Sequence, residues 1–285
     1  MARVQTYHRP QTLAEALTLL ARSGWTGAPL AGGTALVPRL VRADNTVQAV
    51  IDLSDLGLDA ITCQDGWLRL GATATLADVT ENEVCVSVAG GLLDRAARMS
   101  ATVNVRNAAT VGGTVAAGDP ASAFLLALLL LDAEVLIQTL GGEFTMPLGG
   151  FLHAPAQALN GSLLTEVRLA LPNDQVGAGL ARLGRTPQDR PIVMAAALLA
   201  REGSVAARLR LALGGVAGVP VRATTVEEAL TGRPFTAEAL AGALTGWAAL
   251  LKPPGDFRGS AEYRRVMAPI LARRALQEAW VRARS

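Results

Sequence analysis

The chain has 285 residues, 51% of them hydrophobic and 18% charged, so it is long enough for two or three compact units and is not disordered. A formal net charge of +2 is too small to indicate nucleic acid or an anionic membrane surface as a partner. The two cysteines, Cys63 and Cys85, exclude a four-cysteine zinc or iron–sulfur site held by this chain alone. The longest apolar run, between Asp119 and Asp132, is shorter than the roughly 20 residues of a membrane helix. With no signal peptide visible, we expect a soluble, cytoplasmic protein.

The N-terminal 56 residues predict a small α/β unit. QTLAEALTLLARSG (residues 11–24) has leucines at helical spacing, and Thr12 with Glu15 three residues later is the pattern of a capping box. The further elements predicted here are a short buried strand at 28–30, a helix over 34–43 and a strand within 47–56. Because strands and helices alternate, we expect 1–56 to fold as one subdomain.

Residues 57–172 predict a second α/β unit, and residues 178–285 predict an α+β domain. The elements predicted in 57–172 are a strand and helix start over 67–79, helices over 88–100 and 120–131, strands at 133–140 and 162–172, and a loop from 141 to 155. PNDQVGAG (172–179) is typical of a linker. Beyond it, AARLRLALGGV alternates as a strand does, and helices are predicted at 225–230, 236–251 and 260–283, the last capped by Ser260 and kinked at Pro269.

Two glycine-rich stretches are the candidate binding elements, LAGGTALVP (30–38) and TVGGTVAAGDPASAF (110–124). Glycine allows positive φ and close approach of a ligand, and successive amides in such turns converge on an anion. A helix-capping residue follows in each, Thr34 in the first and Asp119 before Pro120 in the second. The stretches therefore predict a grip on one pyrophosphate, or on one phosphate each. The alternative is two ordinary strand–helix turns, and neither stretch is a Rossmann or P-loop motif.

LAGGTALVP and VRNAATVGGTVAAGDPAS together resemble the FAD-binding medium subunits of the molybdenum hydroxylases, a family that includes carbon monoxide dehydrogenase and xanthine dehydrogenase. LTEVRLALP, RLGRTPQDRPIVMAAA, LRLALGGVAGVPVRA and FRGSAEYRRVMAPILARRAL extend the resemblance, in the family's order, over nearly the whole chain. The fold that it implies is α+β, with two α/β subdomains of the PCMH type, 1–56 and 57–172, that clasp FAD. A smaller α+β domain, similar to the C-terminal domain of the carbon monoxide dehydrogenase flavoprotein, is implied at 178–285.

The resemblance also implies which residues contact FAD. The first glycine loop wraps the pyrophosphate with its amides, the second closes on the same phosphates, an acidic residue follows, and two further positions approach the flavin. The matching residues here are Ala31, Gly32, Gly33, Thr34, Ala35 and Leu36 in the first loop, Thr110, Gly112, Gly113 and Thr114 in the second, Asp119 at the helix start, and Leu164 and Arg182 at the flavin end. The resemblance implies no catalytic side chain and no metal in this chain.

Two positions depart from the family pattern. Ala123 replaces the second acid of D-P-x-x-D, and Ala35 stands where serine or an acid is common. Each change removes a polar contact, and we expect each to weaken FAD binding by about 1 kcal/mol, the net value of one hydrogen bond. The backbone amides are expected to hold the pyrophosphate nonetheless.

The implied function is that of the electron-transfer flavoprotein in a multi-subunit oxidoreductase. The implied partners are an iron–sulfur small subunit and a molybdopterin large subunit, in a heterotrimer or its dimer, with electrons leaving through FAD to an external acceptor. Two alternatives stay open. One is a flavin-free scaffold subunit, supported by Ala35 and Ala123, and the other is a standalone FAD oxidoreductase.

Overall fold

The computed structural model describes residues 4–22, 24–42, 44–172, 176–186 and 189–283. The chain divides into two compact units, a first made of Met1–Asn82, Ala101–Gly118 and Ala133–Ala170, and a second made of Glu83–Ser100, Asp119–Asp132 and Leu171–Ser285. Two segments from the predicted 57–172 subdomain thus group with the C-terminal region. The division at 56, 172 and 178 stays a prediction, and residues 173–175 of the predicted linker lie outside the described residues.

The first unit contains two sheets. Its elements are β1 (Thr6–His8), α1 (Leu13–Ala21), β2 (Gly27–Leu30), α2 (Leu36–Leu40), β3 (Ala49–Asp52), β4 (Ile61–Gln64), β5 (Trp67–Gly71), α3 (Leu76–Glu81), α5 (Val103–Arg106), α6 (Val111–Ala117), β6 (Glu134–Thr139), β7 (Gly142–Pro147), α8 (Leu148–His153), α9 (Pro155–Ala158) and β8 (Leu163–Ala170). One sheet is parallel, with strand order β1-β3-β2. The other is antiparallel, with order β4-β5-β8-β6-β7.

Helix α1 begins as the sequence predicts, with one difference in its cap. The Thr12 hydroxyl accepts a hydrogen bond from the Glu15 amide at 3.2 Å, which confirms Thr12 as the N-cap. The Glu15 carboxylate accepts from the amide of Gln11 at 3.0 Å instead of from that of Thr12. The second hydrogen bond of the capping box therefore comes from Gln11, one residue before the predicted donor Thr12.

Two predictions for the first unit are wrong in detail, and one strand was not predicted. Strand β2 is an edge strand, not a buried one, and Pro29 within it is exposed; an edge tolerates proline because no partner there needs its missing N–H. Residues 141–155 are not loop but contain β7 and α8, because β7 pairs with β6 through a hairpin closed by Thr139 and Gly142. Strand β4, which pairs with β5, was not predicted.

The second unit is an antiparallel sheet with helices. Its elements are α4 (Glu83–Ser100), α7 (Ala123–Leu130), β9 (Gly177–Leu183), β10 (Val193–Glu202), β11 (Val205–Gly214), β12 (Val221–Arg222), α10 (Thr224–Leu230), β13 (Arg233–Pro234), α11 (Ala237–Leu250) and α12 (Ala261–Arg282). The sheet order is β12-β11-β10-β9, and β13 also pairs with β11. These elements confirm the predicted strand and the three C-terminal helices. No helix among the described residues has the length and apolar character to cross a membrane.

Helix α12 packs on β9 and β10 through alanines. A Cβ at Gly179 would lie 1.9 Å from the carbonyl oxygen of Ala275, so this strand position needs glycine for the helix to approach so closely. Ser260 caps α12 by accepting from the amide of Tyr263 at 3.1 Å, which confirms the predicted helix start.

Helix α7 starts three residues later than predicted, because Asp119 is not its cap. The Asp119 carboxylate accepts from the amide of Ala121 at 2.8 Å and from the guanidinium of Arg190. Ser122 caps the helix instead, through the amide of Leu125 at 3.4 Å. Every residue of α7 is buried, and the helix packs on α4, β10 and β11. It is therefore a core helix of the second unit.

Arg264 on α12 is a buried charge, 4% exposed, that connects three loops to this helix. Its guanidinium donates to the carbonyls of Ile192, Gly215 and Gly259 and, at 2.8 Å, to the carboxylate of Asp256. The Nε, Nη1 and Nη2 groups thus each have an oxygen acceptor, as the charge of a buried arginine requires.

The stability of the second unit is expected to depend on pH through Asp256. Burial acts to raise the pKa of Asp256, but the amides of Arg258 and Gly259 and the Arg264 guanidinium outweigh it and lower the pKa to about 2. An unfolded aspartate titrates near pH 3.9. Between these values the unfolded state binds more protons, so the contribution of Asp256 is complete above about pH 4 and is lost as the pH falls towards 2.

Urea unfolding of the wild type and of Asp256→Asn at several pH values checks this expectation. The variant should have the lower midpoint at pH 6, and the difference should shrink steadily below pH 4. A difference that stays constant between pH 6 and pH 2 would contradict the assignment.

Candidate cofactor site

A cleft of about 630 Å³ opens in the first unit. Its walls are formed mainly by four segments. These are residues 25–29, which include most of β2, residues 31–36, Thr110 with one side of α6, and residues within 155–164. A volume of this size is typical of sites for small molecules and cofactors. The fold thus brings the two glycine-rich stretches, 80 residues apart in sequence, to one cleft.

Residues 31–36 line this cleft with amides that the protein does not use. Gly32, Gly33, Thr34 and Ala35 donate no backbone N–H hydrogen bond to any described residue. The Gly33 carbonyl does accept from the amide of Val37 at 2.9 Å, and Gly33 has a φ of +71°, which glycine adopts without strain. Four successive N–H groups that have no protein acceptor and lie on a cleft wall are suited to an anion.

The first helix after these amides, α2, begins without a side-chain cap. Its N-cap is Ala35, which has no side-chain group to accept a hydrogen bond, and the predicted capping role of Thr34 is wrong. Helix starts normally leave several donors unsatisfied, and a capping hydroxyl removes one of them. The missing cap therefore leaves more N–H groups available at the cleft.

Gly32 also joins the two glycine-rich stretches physically. A Cβ at this position would lie 1.4 Å from the carbonyl oxygen of Ala108 and 2.5 Å from its carbonyl carbon. The backbone of the first stretch therefore passes directly against the segment that precedes Thr110. This close approach requires glycine whether or not a ligand is bound.

The second stretch is helical where a loop was expected. Thr110 caps α6 by accepting from the amide of Gly113 at 3.1 Å, and Gly118, with a φ of +59°, ends it. The amide of Gly112 donates to the carbonyl of Ala72 at 2.9 Å, and that of Thr114 donates to the carbonyl of Thr110 at 2.9 Å. The amides of this wall are therefore mostly paired within the protein. The donor that it can provide to a ligand is the hydroxyl of Thr110.

The cleft contains little that could do acid–base or metal chemistry. The only ionisable side chain among the described residues that line it is Arg39. No cluster of histidine, cysteine, aspartate and glutamate suited to a metal ion occurs within the described ranges. The walls are mainly apolar, with threonine, serine and asparagine groups. The arrangement is suited to binding and orienting a ligand that brings its own chemistry.

Comparison with known proteins identifies the family. Residues 2–172 match the FAD binding domain in molybdopterin dehydrogenase, and residues 180–279 match the CO dehydrogenase flavoprotein C-terminal domain. The chain belongs to this flavoprotein family. The match confirms the family and the α+β fold expected from the sequence.

Relatives match the chain over its whole length. The carbon monoxide dehydrogenase medium chain of Afipia carboxidovorans is 30% identical over 98% of both chains. That of Hydrogenophaga pseudoflava is 28% identical over 97% of both. A solved structure of carbon monoxide dehydrogenase from Hydrogenophaga pseudoflava, lacking the Mo-pyranopterin moiety of the molybdenum cofactor, covers 100% of both chains with a TM-score of 0.94 and 28% identity.

FAD is the cofactor of this flavoprotein family, and the cleft fits it. The diphosphate needs several N–H donors close together, and Gly32 to Ala35 supply four. The ring systems need apolar walls, and Trp25, Leu159 and Leu164 line the cleft. The volume of about 630 Å³ lies in the range for ligands of this size class.

Most residues matched to the family's FAD contacts line this cleft. They are Ala31, Gly32, Gly33, Thr34, Ala35, Leu36, Thr110, Gly112, Gly113 and Leu164. Thr114 lies one residue further along α6, where its hydroxyl donates to the Thr110 carbonyl at 2.8 Å. Thr114 therefore supports the capping residue of this wall.

Asp119 and Arg182 belong to the second unit. Asp119 pairs with Arg190, and the Arg182 guanidinium donates to the carbonyl of Asp189. Ala123 is 1% exposed in α7. FAD contacts of Asp119 and Arg182 stay predictions.

Several residues that line the cleft were not predicted from the sequence, among them Trp25, Asn160 and Arg39. Trp25 and Asn160 lie outside both glycine-rich stretches, and nothing local marks them. Arg39 lies four residues after Ala35 in a predicted helix, so helical spacing alone places it on the same face as the first stretch. That spacing was the one available signal.

Proposed function

We propose that this flavoprotein takes electrons from the iron–sulfur clusters of a small subunit and passes them to an external acceptor. When bound, FAD supplies an isoalloxazine ring that accepts and releases electrons. The observation that supports this proposal most directly is the row of unpaired amides from Gly32 to Ala35 on the wall of a cleft of cofactor size.

In this proposal, different residues of the cleft bind different parts of FAD. The amides of residues 32–35 donate to the diphosphate, and the Thr110 hydroxyl donates from the opposite wall. Gly112 keeps that wall close, since a Cβ there would lie 2.7 Å from the Cβ of Ala72. Leu164 and Trp25 exclude water from the ring systems. By their match to the family pattern, we assign Asp119 to the acidic position at the following helix start and Arg182 to the flavin end.

The chain is proposed to work in an assembly. Its two cysteines are too few for iron–sulfur clusters, and the relatives are named as medium chains of a dehydrogenase. An iron–sulfur small subunit and a molybdopterin large subunit, in a heterotrimer or its dimer in the cytoplasm, complete the electron path. A flavin-free scaffold would have no use for unpaired amides facing a cleft, so the structure favours the flavoprotein over that alternative.

The absorption spectrum of the purified chain, before and after added FAD, tests the proposal. We expect flavin bands, one FAD released per chain on denaturation and identified by mass, and bleaching of the bands on mixing with the chemically reduced iron–sulfur subunit. A chain that stays colourless with excess FAD, both alone and co-expressed with the other two subunits, would contradict flavin binding. Bound FAD that the reduced subunit cannot bleach would contradict the electron path alone.

A further inference from the structure

The charges around the cleft are unevenly distributed. Arg39 is the only charged side chain that the described part of the chain contributes to its lining. Arg39 forms no hydrogen bond or salt bridge with a described residue. Asp44, the acid whose pKa it slightly helps to lower, is already bound by both Nε and Nη2 of Arg42 at 3.0 Å. The cleft therefore carries one cation whose hydrogen-bonding capacity the described structure does not use.

The position of Arg39 on α2 directs it to the unpaired amides. Leu36 is buried and fixes the inner face of α2, and Arg39 follows it by three residues and Ala35 by four. Residues at these spacings share one face of a helix. The Cα–Cβ bond of a helical residue tilts towards the N-terminus, so the Arg39 side chain covers the preceding turn. That turn begins at the segment of unpaired N–H groups.

We propose that Arg39 is the counter-charge for the diphosphate of the cofactor and gives the cleft its preference for ligands that carry one. The proposal rests on the proposed function and extends it to a residue outside the matched motifs. The diphosphate of FAD is doubly negative at neutral pH, whereas amides supply only partial charges. A guanidinium fork can bind two phosphate oxygens at once, so arginine suits this task. Because Arg39 is exposed, the attraction is sensitive to salt.

Binding of FAD, ADP and adenosine to the full-length chain separates the diphosphate from the rest of the ligand. Arg39→Gln is expected to weaken FAD and ADP about tenfold at low ionic strength, equal to about 1.4 kcal/mol, and to leave adenosine unchanged. The loss for FAD and ADP should shrink at high salt. Arg39→Lys should recover part of the affinity, because it restores the charge without the fork.

Arg42→Gln is the matched control, since Arg42 is also exposed, lies three residues away and is paired with Asp44 outside the cleft lining. It should bind all three ligands as the wild type does. Arg39→Gln with wild-type affinity for FAD and ADP at low salt would overturn the role of Arg39 while leaving FAD binding intact. An equal loss for adenosine would show a structural effect instead and also overturn it. If the wild type binds neither FAD nor ADP, the proposed function fails with it.

Discussion

Gly32→Ala is expected to abolish measurable FAD binding. Its Cβ would lie 1.4 Å from the carbonyl oxygen of Ala108, a backbone atom that cannot rotate away, so one stretch must move away from the other. Displacing the amides of residues 32–35 by even a small distance would remove hydrogen bonds that we propose for the diphosphate, each worth about 1.5–3 kcal/mol because the acceptor is charged. Loss of two such bonds weakens FAD by at least about 100-fold. Titration of the purified variant with FAD, followed by flavin fluorescence, measures the loss.

The same substitution should also destabilise the first unit, by about 3 kcal/mol, because a well-packed backbone contact is forced apart. Gly150→Ala is the control: it lies in α8 of the same unit, and its Cβ would meet only the Cε of Met146 at 3.6 Å, an ordinary contact. Gly150→Ala should bind FAD normally. Gly32→Ala with wild-type affinity for FAD would contradict the close approach of the two stretches.

Arg264→Leu is expected to lower the free energy of unfolding of the second unit by about 2–6 kcal/mol, because it leaves two buried carbonyl acceptors without their donor and each such loss costs about 1–3 kcal/mol. The substitution strips hydrogen bonds from the carbonyls of Ile192, Gly215 and Gly259, and leucine offers no replacement donor. Asp256 would keep the amides of Arg258 and Gly259 but lose its guanidinium. Urea unfolding followed by tryptophan fluorescence measures the change.

Arg265→Leu tests whether any arginine on α12 would have the same effect. Arg265 is exposed and makes one hydrogen bond, from Nε to the Leu251 carbonyl at 3.2 Å, so we expect a change below about 1 kcal/mol. Arg264→Lys should fall between the two, because it keeps the charge without the five-donor fork. Arg264→Leu as stable as Arg265→Leu would show that the buried network contributes little.

Local signals were sufficient where neighbours in sequence decide the structure. Thr12 and Ser260 cap their helices as predicted, and the alternation in β11 is that of a strand. Each of these outcomes depends on contacts within a few residues.

Predictions failed where a distant partner changed a local preference. Aspartate is a residue type favoured at the N-cap. The Asp119 carboxylate instead accepts hydrogen bonds from Arg190 and from the amide of Ala121, and α7 begins at Ala123. Strand β7 has few apolar residues and depends on pairing with β6. The contact between Gly32 and Ala108 joins residues far apart in sequence, and no local pattern announces it.

The burial of α7 has a consequence for how the protein is made. Its residues 123–130 leave the ribosome well before β10 and β11, the strands that cover them, and before Arg210 and Arg222, which donate to the carbonyls of Leu130 and Leu129 at its end. Until synthesis passes residue 222, a wholly apolar helix has no native cover on that side. During that interval the nascent chain depends on chaperones or on transient collapse to avoid self-association. A fragment that stops at the end of the FAD-binding match, at residue 172, would keep this exposure permanently.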